Sequence, residues 1–228
     1  MYTYLLINLL SISVPLIASF DKRLNFYKKW KYFFPGLILT LLFFIAWDVL
    51  YTHWGIWGFN ERYLTGMKII NLPVEEWLFF ISIPYACVFT YDALNYLVKK
   101  DLFKPAEKYI SAVLIGVLVI VAVWHYNRLY TSVTFLLTAL FIALHQYVWK
   151  SPWISRFYFT YLIILIPFFI VNGILTGSFI EEEVVYYDNT MNLGIRLLTI
   201  PIEDSIYGML LIMMNVAFYE WFQKRSKM

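Results

Sequence analysis

Residues 66–92 read GMKIINLPVEEWLFFISIPYACVFTYD, and residues 194–220 read GIRLLTIPIEDSIYGMLLIMMNVAFYE. At a constant spacing of 128 residues, Gly66 meets Gly194, Lys68 meets Arg196 and Pro73 meets Pro201. Glu75 then meets Glu203, Glu76 meets Asp204, Tyr91 meets Tyr219 and Asp92 meets Glu220. Every charged position of the first stretch has a like-charged partner in the second, a pattern that chance explains poorly. The chain therefore contains an internal repeat, and each copy places a Pro-x-Glu-Glu/Asp motif at the head of a long apolar run.

The rest of the chain is equally apolar. Of its 228 residues 61% are hydrophobic and only 14% charged, against about 45–50% and 25% in an average soluble domain. Mean hydropathy is +0.66. Runs near the ~20 residues needed to cross a bilayer fall at about 2–20, 33–51, 76–98, 110–126, 131–149, 157–176 and 200–222. The pattern predicts an all-α membrane protein of about seven transmembrane helices. The first run lacks a basic leading region and a small-residue cleavage site, so it reads as a retained span. A single cysteine, Cys87, excludes an internal disulfide.

Lysine and arginine set the orientation. Lys22, Arg23, Lys28, Lys29 and Lys31, then Lys99, Lys100, Lys104 and Lys108, then Lys150 and Arg156, then Lys224, Arg225 and Lys227 fall on one side. The other side has Arg62, Lys68, Arg128 and Arg196. Fourteen against four puts the amino terminus outside and the carboxyl terminus in the cytoplasm. The third and seventh spans then run the same way, so the repeat is parallel, about an axis along the membrane normal. The organisation expected is a three-helix repeat over 1–98, a connecting helix over 99–130 and a second three-helix repeat over 131–228. The two longest loops, 52–75 and 177–199, both lie outside, where Trp54, Trp57, Tyr63, Tyr186 and Tyr187 fit an interfacial aromatic belt.

A proline followed by acids is also an ordinary helix start, since proline suits the first helical position and the dipole favours acids in the first turn. Two copies at one depth, each with two adjacent acids running straight into apolar residues, point further. Acids at such a depth cost roughly 2.5–3.5 kcal/mol on insertion scales when near mid-bilayer, and they mark pathways or reactive sites. Asp48, near the outer end of the second span, adds a further acid, with Asn172 in a comparable place in the second half. A pseudo-twofold axis would bring Glu75 and Glu203 together. Carboxyl groups crowded in a low-dielectric site cannot all ionise, and a neutral acid beside an ionised one suits acid–base chemistry. Trp47, Tyr51, Trp77, Phe80 and Tyr207 lie near enough in sequence to face a cationic intermediate with their π-faces.

Other chemistries lack their signatures. There is no Gly-x-Gly-x-x-Gly among the nine glycines and no phosphate-binding loop. His53, His125 and His145 stand on separate segments, so no metal site is expected. No lysine lies in 200–222 to hold retinal, and no two aspartates have the D-x-x-x-D spacing of a Mg²⁺-dependent prenyltransferase. A mildly basic net charge of +3 implies no nucleic-acid partner.

At these residues the chain resembles the membrane-integral lycopene cyclases, which include two-subunit and fused bacterial and archaeal forms and the cyclase domain of the fungal bifunctional phytoene synthase/lycopene cyclase. The resemblance is carried by Phe59-Asn60, by Gly66 ahead of Leu72-Pro73-Val74-Glu75-Glu76, by Gly194 ahead of Ile200-Pro201-Ile202-Glu203-Asp204, and by the loop Asn172-Gly173-Ile174-Leu175-Thr176-Gly177. It implies a redox-neutral isomerisation without a cofactor, in which lycopene or a similar linear carotenoid is taken from the bilayer of the cell membrane. A carboxylic acid would protonate a terminal double bond, the neighbouring double bond would close a six-membered ring, and a carboxylate would remove a ring proton to give a β-end. The acid pairs carry over to Glu75 and Glu76 and to Glu203 and Asp204, with Asp48, Asn60 and Asn172 as polar supports. Glu75 and Glu203, which match without substitution, rank first. Other carotenoid-pathway enzymes are conceivable partners. Two other readings use the same features: a carotenoid hydratase acting on the open end, and a proton-coupled transporter, which would need ionisable groups along the middle of the membrane.

Overall fold

The computed structural model describes residues 2–226; Lys227, counted above with the basic tail, lies outside the described residues. Seven α-helices run through them: α1 (Thr3–Ala18), α2 (Trp30–His53), α3 (Val74–Leu97), α4 (Glu107–Trp124), α5 (Leu129–Ala143), α6 (Ile154–Leu175) and α7 (Ile202–Arg225). Six spans are long and apolar enough to cross a membrane, the fifth because a π-helical turn, Leu144–Val148, extends α5. The shorter α1 has 16 residues, about 24 Å at 1.5 Å per residue. The helices are apolar nearly all round, as a lipid-facing bundle requires.

The repeat is repeated in the backbone. Strands β2 (Lys68–Ile69) and β3 (Leu72–Pro73) form a small hairpin leading into α3, and β5 (Arg196–Leu197) and β6 (Ile200–Pro201) form its counterpart ahead of α7. Both hairpins turn through a bulky residue in the left-handed region, Ile70 (φ 62°) and Leu198 (φ 59°), and both are preceded by a glycine at positive φ, Gly66 (86°) and Gly194 (70°). A left-handed conformation is rare for a β-branched residue, and finding the same kink 128 residues apart marks one unit used twice. Pro73 and Pro201 are the N-caps of α3 and α7, one position earlier than the first helical position expected for them. There they close the hairpin opposite Lys68 and Arg196.

Helix packing crosses between the halves. The first helix of each half lies along the third of its own half, α1 on α3 and α5 on α7, whereas α2 packs on α7 and α6 on α3. The α2–α7 seam is the tighter: a Cβ on Gly36 would stand 2.7 Å from Cβ of Phe218. Near their carboxyl ends α3 and α7 exchange equivalent hydrogen bonds, Tyr91 Oη to Glu220 Oε1 at 2.7 Å and Tyr219 Oη to Asp92 Oδ1 at 2.7 Å. Asp92 also pairs with Lys29 Nζ at 2.7 Å.

At the opposite end the two long loops meet. Strand β1 (Trp57–Phe59) pairs antiparallel with β4 (Val185–Tyr187), placing Trp57 opposite Tyr187 and Phe59 opposite Val185. Trp54 and Tyr186 are exposed, as an aromatic belt predicts, but Trp57 and Tyr63 are buried and Tyr187 is half-buried. The belt reading fails for Trp57 and Tyr187 because the strand pairing turns them inward, and for Tyr63 because its hydroxyl lies under the other loop, accepting the Glu182 N–H.

Tyr219→Phe removes an O–H donor from a buried carboxylate, and we expect a loss of about 1–3 kcal/mol, read as a lower unfolding temperature in detergent. Gly36→Leu destabilises further by forcing α2 off α7.

Candidate active site

Of the four acids at the helix starts, two face away from any cavity. Glu75 and Glu203 are fully buried. Oε1 of Glu75 accepts the backbone N–H of Thr65 at 2.6 Å, and Oε1 of Glu203 accepts that of Leu193 at 2.8 Å together with Oγ1 of Thr131 at 2.6 Å. Thr65 and Leu193 are themselves equivalent in the repeat. Each glutamate therefore ties the approach to its hairpin onto the helix it opens. The matched pair, ranked first in the sequence, is thus placed outside the cavity wall, each with the same local contact.

The next acid in each copy is turned the other way. Glu76 and Asp204 both line one cavity of about 550 Å³, and Asp48 joins them from α2. All three are buried. Each is held by a ring donor. Tyr4 Oη donates to Glu76 Oε2 and Trp57 Nε1 to Asp48 Oδ1. Tyr130 Oη donates to Asp204 Oδ1 at 2.6 Å and Tyr187 Oη to Asp204 Oδ2 at 2.9 Å. Asp48 Oδ2 and the Tyr207 hydroxyl are buried without a partner. The cavity wall includes no lysine, arginine or histidine; Arg196 stands behind it, over the Tyr187 ring. A site of this kind can hold and pass a proton, and its apolar walls exclude water from whatever forms there.

Of the rings singled out in the sequence, Tyr207 alone lines the cavity. Trp47 stands behind it, with ring centroids 5.2 Å apart, and Trp47 in turn packs on Tyr51 at 5.6 Å. Tyr51 Oη donates to the Leu129 carbonyl at 3.2 Å. Phe80 is buried against Phe44 at 6.0 Å, and Trp77 is half-buried outside the wall. The wall is built instead from Tyr4, Trp57, Tyr130 and Tyr187, which sequence reasoning missed. Tyr4 and Tyr130 were detectable in principle, since each lies in the first turn of the first helix of its half. Asn172 lines the cavity, as does Asp48, its counterpart. Asn60 does not: it caps a 3-10 turn by accepting Arg62 N–H at 3.1 Å and donates to Glu182 at 2.9 Å. Among the described residues no group of three His, Cys, Asp or Glu side chains is arranged to hold a metal ion.

The family model for lycopene cyclases matches residues 1–94 and 127–222. No curated protein and no solved structure matches the chain. The family match spans most of the sequence and its two stretches flank α4, so the chain belongs to the lycopene cyclase family. It is an integral membrane protein of carotenoid biosynthesis that cyclises lycopene.

Glu75→Ala and Glu203→Ala leave a buried backbone N–H without its acceptor, and each is expected to cost about 1–3 kcal/mol of stability in detergent. Glu75→Gln keeps an acceptor oxygen in place and is expected to unfold at a temperature nearer to that of the unaltered protein.

Proposed function

We propose that the chain closes β-rings at the open ends of lycopene, using the Asp48, Glu76 and Asp204 cluster as its acid and base. The observation that carries this reading is the convergence of three buried carboxyl groups on one largely apolar cavity without a cation. Asp204 accepts from phenols at both oxygens, which is the hydrogen bonding of an ionised carboxylate. Asp48 keeps Oδ2 free, and of the Glu76 oxygens Oε2 accepts from Tyr4. A proton held between Asp48 and Glu76 is the one delivered.

The step balances without redox change. The O–H bond of the acid breaks as a C–H bond forms at the terminal double bond of the substrate. The tertiary cation so formed is attacked by the π-electrons of the neighbouring double bond, closing a six-membered ring and moving the charge onto it. Asp204 takes a ring proton, whose bonding pair becomes the ring double bond, and returning that proton to Asp48 and Glu76 restores the site. Tyr207, Trp57, Tyr130 and Tyr187 present rings to the passing cation. Asp204, already negative, stabilises it electrostatically.

We also read the chain as two repeats, 1–98 and 131–228, joined through 99–130. Each half then contributes one helix-start acid, Glu76 or Asp204, with its own tyrosine, Tyr4 or Tyr130, and the first half adds Asp48. With the amino terminus outside, the acid cluster lies toward the outer face of the cell membrane, and the substrate is a linear carotenoid dissolved in it.

The test is expression in a lycopene-accumulating bacterial host with pigment analysis by HPLC and mass spectrometry. The expected product is an isomer of unchanged mass bearing β-rings, reduced by about 10²–10⁴-fold in Asp48→Asn, Glu76→Gln and Asp204→Asn. A product heavier by water would overturn ring closure in favour of hydration. Undiminished cyclisation in all three variants would remove the cluster from the mechanism.

A further inference from the structure

The cavity does not end at the acids. On α3 its wall follows one helical stripe, Glu76, Phe79, Ile83, Cys87 and Thr90, whose last member lies fourteen residues past the first, or about 21 Å at 1.5 Å per residue. On α7 the wall stops at Ile212, eight residues past Asp204, or about 12 Å. The lower part is therefore a limb lined from α1, α3 and α6. Below the level of Ile212 it is lined by Pro15, Ala86, Cys87, Thr90 and Ile163, with no carboxylate and no cation.

The limb is open on one side. Leu10 and Ile163 belong to its wall and yet are 71% and 39% exposed. They stand near the middle of α1 and α6, where the surroundings of a spanning bundle are hydrocarbon rather than water. Pro15 and Pro167, both on the wall, lie inside their helices. Proline there removes a backbone hydrogen bond and prevents regular close helix packing. Across the molecule α2 lies against α7 with Gly36 under Phe218, the helix pair that corresponds to α6 and α3.

We propose that this limb seats the unreacted polyene tail of the substrate, which enters sideways from the bilayer between α1 and α6 and threads its end up to the acids. The occupant follows from continuity with the acid cluster: a molecule whose reacting end lies at Asp48 and Glu76 must dispose of the rest of its length, and the cavity continues along this apolar limb. An acyclic hydrocarbon chain fits an uncharged slot with a hydrocarbon mouth, and a charged ligand does not. The inference rests on the proposed function for the identity of the occupant. It adds Ala86, Cys87 and Thr90 as residues that set how far the chain can enter, and Leu10 as the doorpost.

Lycopene is achiral, so its visible absorption band shows circular dichroism only when the molecule is held in a chiral site. The experiment loads lycopene onto the purified Asp48→Asn protein in lipid nanodiscs, where substrate is not consumed, and records that band. We expect an induced signal, lost when Ala86→Phe fills the limb and lost when Leu10→Trp blocks its mouth. Leu10→Trp alters a lipid-facing position, so it tests the entrance even if Ala86→Phe fails to fold. Equal induced signals in folded protein with and without these substitutions, or no induced signal in Asp48→Asn, would overturn the limb. Pigment analysis of the unaltered protein separates the two readings: a limb-dependent signal without any ring product would overturn the proposed chemistry and leave the limb standing.

Discussion

A carboxyl group enclosed by an apolar bundle must find hydrogen-bond donors within it, and most of this structure is arranged around that need. Five acids near one end of the bundle, Asp48, Glu75, Glu76, Glu203 and Asp204, are buried. Their donors come from two sources. Backbone N–H groups of the approach loops bond one oxygen of Glu75 and one of Glu203, so the loops are tied down by the acids as much as the acids are sheltered by the loops. Aromatic O–H and N–H groups bond Glu76, Asp48 and Asp204, and the second oxygens of Glu75, Glu203 and Asp48 stay without a partner. A tyrosine or tryptophan can serve a buried carboxylate at a wall without adding charge, since it presents an apolar body with a polar tip. That choice keeps the cavity free of lysine and arginine, which would otherwise fix the carboxyl groups as ion pairs.

The same requirement explains the doubled hairpin. A left-handed bulky residue at Ile70 and Leu198 is costly, and such strain persists where surrounding contacts over-determine it. Here the contacts are the strand pair, the proline cap and the glutamate beneath it. The unit delivers a second acid to a fixed place one residue later, on the neighbouring helix face. Two such units around α3 and α7, with α2 and α6 crossing to the opposite half, set Glu76 and Asp204 against one common space. The crossed bonds between Tyr91 and Glu220 and between Tyr219 and Asp92 fasten the far end of the same two helices.

Much of this was legible in the residues. The spans followed from hydropathy, and the hairpin units from the 128-residue spacing. The acids were visible as a group, and Asp48 and Asn172 as their neighbours. Which acid of each pair faces the cavity was not legible. Adjacent helical residues point about 100° apart, so the choice between Glu75 and Glu76 depends on where the helix lies against its partners, which no local pattern records. Matching between the halves does not reveal orientation, because Glu75 and Glu203 both bond the loop ahead of their helix. The aromatic wall failed for a different reason: Trp57 and Tyr187 are 130 residues apart in sequence and meet through β1–β4 pairing. Trp47, Tyr51 and Phe80 were chosen by proximity in sequence and became the layer behind the wall.

Duplication of the scaffold has not duplicated the reaction chamber. The α2–α7 pair is close-packed at Gly36 and Phe218 while the cavity runs down beside α1, α3 and α6, so on the proposed reading two similar halves share a chamber entered between α1 and α6. A long molecule with an unclosed terminus at each end therefore presents them in turn, withdrawing into the bilayer and reversing before the second is reached. The half-finished molecule is a free species between those visits, available to any other enzyme dissolved in the same membrane. Its residence there, against the rate of re-entry, becomes the quantity that decides whether one terminus or both are closed.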